Sequence, residues 1–70
     1  MLEYKFDVIE SLKEAGYAPV RLRKEKLLGE GTIQKLRSKE MVSASSLDTI
    51  CRLLDMQPGN IIKYVEDKPE

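Results

Sequence analysis

Histidine and tryptophan are absent from this 70-residue chain, and cysteine occurs once, at Cys51. Without histidine the usual zinc-ligand sets cannot be assembled. Nucleophile–histidine pairs and imidazole acid–base chemistry are excluded for the same reason. A single cysteine leaves no internal disulfide. No apolar run approaches the roughly 18 to 20 residues that cross a bilayer, and the N-terminus lacks the apolar stretch of a signal peptide. A cytoplasmic location with no membrane partner is therefore expected. The carboxylates are scattered and no nucleophile has a base beside it, so neither an enzyme nor a cofactor is expected. Net charge is also missing: 12 lysines and arginines face 12 aspartates and glutamates.

That balance hides a segregation. Residues 21–39 hold seven basic side chains (Arg21, Arg23, Lys24, Lys26, Lys35, Arg37 and Lys39) against Glu25 and Glu30, a local charge of +5. Residues 1–20, with two basic and four acidic groups, come to −2, and residues 40–70, with three and six, to −3. A polyanion responds to the local patch rather than to the total. The basic block also coincides with a pattern of short helix, turn and short helix.

Five short helices with tight connections are predicted, in one domain of residues 1–66 followed by a frayed tail, 67–70. The first, from Tyr4 to Ala15, puts Val8, Ile9, Leu12 and Ala15 on one stripe, and Gly16 stops it. Pro19 suits the first turn of a second helix, which carries Val20, Leu22 and Leu27 among basic residues. The run Leu28-Gly29-Glu30-Gly31 breaks it. A third helix, Thr32 to Arg37, turns Ile33 and Leu36 inward. Ser45 can cap a fourth, with Asp48 completing a capping box, and Leu47, Ile50, Cys51 and Leu54 form its apolar face. Pro58 opens a fifth helix, whose Ile61, Ile62 and Val65 return to the core. No strand alternation stands out. Cys51 is expected to be a small core residue, and Met41 and Met56 gap fillers. Tyr4, Tyr17 and Tyr64 are expected at the core edge, since their spacing suits no single-strand stacking surface.

With those residues placed, the chain resembles the Cro/repressor (XRE) class of helix-turn-helix regulators. The segments that carry the resemblance are RLRKEKLLGEGTIQKLR, from Arg21 to Arg37, and the more specific LDTICRLLDMQPGNIIKYV, from Leu47 to Val65. The resemblance implies an all-α, compact five-helix bundle of the lambda-repressor-like type, found in bacterial and mobile-element genomes. Its second helix would brace on the DNA backbone and its third would enter the major groove. The sequence also departs from the family pattern. Arg23 stands where a small alanine is usual, Leu27 where the turn glycine is usual, and Lys26 where an aliphatic residue is often buried. Leu27 is expected to take over that packing, and Gly29 to make a positive-φ exit.

Carried over residue by residue, the base-reading set is Glu30, Gly31, Thr32, Gln34 and Lys35. Gln34 can donate and accept at a base edge, and Lys35 can donate to guanine O6 or N7. Thr32 can meet a phosphate or a thymine methyl. Gly31 allows close backbone approach. Glu30 can accept from cytosine N4 but repels phosphate. Arg21, Arg23, Lys24, Arg37 and Lys39 would contact phosphates, which position the protein without reading sequence.

The resulting expectation is a sequence-specific double-stranded DNA-binding regulator, a small repressor or activator without a small-molecule effector. A homodimer through the fifth helix (Ile61, Tyr64 and Val65) is expected to bind paired half-sites. The alternative is a protein-interaction module on the same scaffold, such as an antitoxin, anti-repressor or inhibitor. The zero net charge favours that alternative, and steep salt dependence of DNA binding would exclude it.

Overall fold

Backbone pairing joins the two ends of the chain. In the computed structural model, which describes residues 1–66, strand β1 (Leu2–Tyr4) runs antiparallel to β2 (Ile62–Tyr64), with Leu2 opposite Tyr64, Glu3 opposite Lys63 and Tyr4 opposite Ile62. The Val65 amide donates to the Met1 carbonyl at 2.7 Å and the Lys5 amide to Ile61 at 2.8 Å, so the pairing runs past both formal strand ends. Between the strands lie α1 (Val8–Glu14), α2 (Pro19–Lys24), α3 (Glu30–Arg37), α4 (Ala44–Leu54) and α5 (Pro58–Ile61).

This architecture retains the five helices and corrects the purely helical expectation at both ends. The first helix starts at Val8 rather than Tyr4, because Asp7 caps it by accepting from the Glu10 amide at 3.1 Å. Upstream of that cap, the backbone groups find partners in β2 instead. The fifth helix is a single turn, and at Ile62 (φ −125°, ψ 161°) the chain becomes extended. Each of these strands is only three residues long, and each depends on a partner about sixty positions away. Local periodicity carries no trace of such a pairing.

Pro19 opens α2 as expected, and Gly16 closes α1 at φ +94°. There the Gly16 amide donates to Lys13 and the Tyr17 amide to Leu12, the paired bonds that satisfy a helix C-terminus. Ser43, not Ser45, caps α4, its hydroxyl accepting from the Ser46 amide at 3.3 Å. Composition offered three serines within four residues, and only one stands at the chain's entry into the helix.

The fully buried core is Val8, Leu12, Leu22, Leu28, Ile33, Leu36, Ile50 and Ile61. It joins α1 to α3 and α4, and α5 closes it through Ile61. Four residues depart from expectation, one being Tyr64, expected at the core edge but 71% exposed. Leu28, assigned to a helix break, is core, whereas Val20 is 71% exposed and Ala15 lies at the surface. On α4, Ile50 is fully buried, while Leu47, Cys51 and Leu54 are half-buried against the core. Among the described residues no helix is long and apolar enough to cross a membrane. The expected tail, 67–70, lies outside the described residues.

Candidate nucleic-acid interface

Helix α2 ends one turn before α3 begins, and the connection is closed by backbone bonds. The Lys26 amide donates to Arg23 at 3.2 Å and the Leu27 amide to Leu22 at 2.9 Å. That closure needs a left-handed residue at position 26, and Lys26 supplies it at φ +56°. The expectation that Gly29 makes the positive-φ exit is corrected here. Gly29 has φ −75° and ψ 165°, an extended N-cap that opens α3 two residues before Thr32. The position of the helix end dictated which residue turns left-handed, and a glycine three residues later could not serve. Leu27 is half-buried and Leu28 buried, so both anchor the turn to the core.

Ile33 and Leu36 pin α3 inward. Glu30, Gly31, Gln34, Lys35 and Arg37 lie exposed on its other side. Thr32 is half-buried, and its hydroxyl lies 3.3 Å from that of Ser46 on α4. A Cβ added at Gly31 would meet no atom within 4 Å, so nothing inside the fold requires glycine there.

Gly31 and Thr32 aside, the ten residues expected to touch DNA leave eight, which fall into two groups. The first is engaged within the protein. The Arg21 guanidinium donates to Glu25 at 2.6 Å and to the Gly16 carbonyl at 2.9 Å, and stacks 4.6 Å from the centre of the Tyr17 ring. Lys39 lies 3.8 Å from an Asp7 carboxylate oxygen, with both side chains more than half exposed. Arg23 on α2 forms an ion pair with Glu30 at the start of α3, donating to Oε1 through Nε and to Oε2 through Nη2 at 3.4 Å. Gln34, one helical turn beyond Glu30, donates its side-chain amide to Oε2 at 3.1 Å. Bonds from Arg23 and then Gln34, with the nearby charges of Arg23 and Arg37, hold the Glu30 carboxyl below the usual glutamate range. In the second group, Lys24, Lys35 and Arg37 are exposed and form no salt bridge among the described residues.

Exposed cations outside any salt bridge, set on two short helices joined by a tight turn, make a surface suited to a polyanion. Comparison with known families agrees. A family model described as Cro/C1-type HTH DNA-binding domain matches residues 9–67. The chain belongs to the Cro/C1-type helix-turn-helix DNA-binding family. No curated protein and no solved structure matches the chain significantly.

Within this Cro/C1-type domain the structure relates residues that sequence reading had kept apart. Arg23, assigned to phosphate, and Glu30 and Gln34, assigned to bases, form one hydrogen-bonded chain across the two helices. Lys26 belonged to the basic block but to neither set. It lines a shallow depression at the turn together with Arg23, Leu28, Gly29 and Glu30. Its charge was legible in the sequence, whereas its place beside Arg23 depends on the left-handed turn.

Proposed function

We propose that this chain is a sequence-specific, double-stranded DNA-binding transcriptional regulator that lays α3 in the major groove. One observation carries the reading. Lys24, Lys35 and Arg37 stay free of salt bridges among the described residues and flank an exposed Gln34 on the two helices of the motif. Cations outside salt bridges give up no internal ion pair when they meet phosphate or a guanine edge. In this reading Gln34 and Lys35 face bases, and Gly31 lets the backbone approach. Lys24 and Arg37 meet phosphates, with Lys26 beside them. Arg21 and Lys39 contribute less, because each must share its charge with an internal carboxylate. Thr32 divides its hydroxyl between DNA and Ser46.

Salt titration of binding tests this reading. On a duplex selected from a randomised pool, Lys35→Ala should lose about 1 to 3 kcal/mol of affinity, with little loss on random DNA. Lys24→Ala should weaken all duplexes alike and lower the slope of log K against log salt by about one. Identical behaviour of the two variants on both duplexes would show that α3 is not the reading helix. Absence of binding in low salt would instead favour a protein-interaction module.

Self-association belongs to the same proposal, with its contact moved from the fifth helix to the ribbon. Ile61 is fully buried and Val65 half-buried, while Tyr64 is 71% and Leu2 47% exposed. Leu2 and Tyr64 are cross-strand partners on the face that Tyr4 and Ile62 turn to the core, an apolar overhang suited to a second copy. Sedimentation of the wild type and of Tyr64→Ser at micromolar concentration checks it. A monomeric wild type would overturn this part alone.

A further inference from the structure

Glu30 is an anion at the centre of a surface proposed to meet a polyanion, and its surroundings give it a task other than contact with DNA. A carboxylate only accepts hydrogen bonds, so the Gln34 atom against it must be the amide nitrogen. One N–H of that nitrogen is thereby spent on Glu30, at 3.1 Å. The second N–H and the side-chain oxygen have no partner among the described residues. Glu30 is itself held from the other side by the two-point contact with Arg23 on α2. The result is an amide that cannot flip without placing its oxygen against a carboxylate.

Resting on the reading of α3 as the major-groove helix, we infer that Glu30 is a positioning residue. Anchored by Arg23, it orients the Gln34 amide so that one donor and one acceptor face an adenine edge. Adenine offers the complement, an acceptor at N7 beside a donor at N6. Guanine offers two acceptors, N7 and O6, and its O6 would meet the Gln34 oxygen. The held amide therefore discriminates between the purines, where a freely rotating one would compromise. The Arg23 link also ties the register of α2 on the backbone to the side chain that reads.

Selection from a randomised duplex pool, with the wild type, Glu30→Ala, Gln34→Ala and the double variant, tests the inference. Affinities are then measured on the selected duplex and on its single-base-pair substitutions. The wild type should show a preferred A·T pair, and Gln34→Ala should lose that preference by roughly 5- to 150-fold. Glu30→Ala should erode the preference at the same pair while preferences elsewhere in the site persist, and the double variant should discriminate no less than Gln34→Ala alone. Glu30→Ala that keeps the wild-type preference at that pair overturns the inference. So does a loss confined to a different pair, which would make Glu30 a direct reader. A wild type that enriches no sequence and binds without salt dependence overturns the DNA reading itself, and the positioning role with it. Glu30 is exposed, so its variants are expected to fold, and the Gln34 side-chain amide resonances of free protein provide a second readout. They should shift between wild type and Glu30→Ala; identical resonances would also overturn the inference.

Discussion

The Tyr4 hydroxyl donates to the carbonyl oxygen of Glu40 at 2.8 Å, spanning 36 positions of sequence. Glu40 follows Lys39, which is left-handed at φ +65°, and its amide returns to Lys35 at 2.8 Å to close the end of α3. One phenol therefore fastens the two-stranded ribbon to the exit of the proposed reading helix. Burial is the chief influence on that phenol and pushes its pKa above the ordinary tyrosine range. Tyr4→Phe removes the donor and keeps the ring. It should cost about 1 kcal/mol in urea unfolding, and a loss near zero would mean that the ribbon is held by backbone pairing alone.

Lys26 occupies the left-handed region where glycine is usual at a helix end. For a residue with a Cβ that conformation costs roughly 1 to 2 kcal/mol, while glycine adds unfolded-chain entropy worth about 0.4 to 1 kcal/mol. The first effect is the larger. Lys26→Gly should therefore raise stability by several tenths of a kcal/mol to about 1 kcal/mol, seen as a higher midpoint of thermal unfolding.

At Gly31 stability and binding should part. It lies in the first turn of α3 with open space where a Cβ would stand. Gly31→Ala should stabilise the fold by about 0.5 to 1 kcal/mol, because alanine loses less backbone entropy in a helix. The same methyl should weaken binding to the selected duplex if the backbone there approaches the groove. Calorimetry and a binding titration on one preparation separate the two effects. Gain in both would remove Gly31 from the contact surface.

The Glu30 carboxyl should titrate below an ordinary glutamate in carbon-detected NMR, and Arg23→Ala should return it toward the usual range, since the Arg23 bond is the first cause of the shift. A depressed folded-state pKa means that the unfolded chain takes up the proton first as pH falls. The contribution to stability is thus present above the unfolded value and is lost as pH drops through the folded one. An unshifted Glu30 would mean that the pair does not persist in solution.

Much of the helical core was legible along the chain. Leu12, Leu22, Ile33, Leu36 and Ile50 recur at helical spacing, and each is buried. Pro19 and Gly16 mark helix ends through chemistry that each residue carries by itself. The basic block between Arg21 and Lys39 needed only counting.

Sequence alone determined the five helices, most of their inward faces, the family and the location of the charge, because those follow from spacing and side-chain type. Tertiary structure decided the rest. It turned residues 2–4 and 62–64 into strands, since extended backbone needs a partner and each segment found it in the other. It chose Lys26 over Gly29 for the left-handed turn, since the end of α2 sets which residue must close it. It also divided a block of like charges into cations engaged with Glu25, Glu30 and Asp7 and cations left free of salt bridges among the described residues. Charge is a property of the residue. Whether it is already neutralised is a property of what the fold brings within reach.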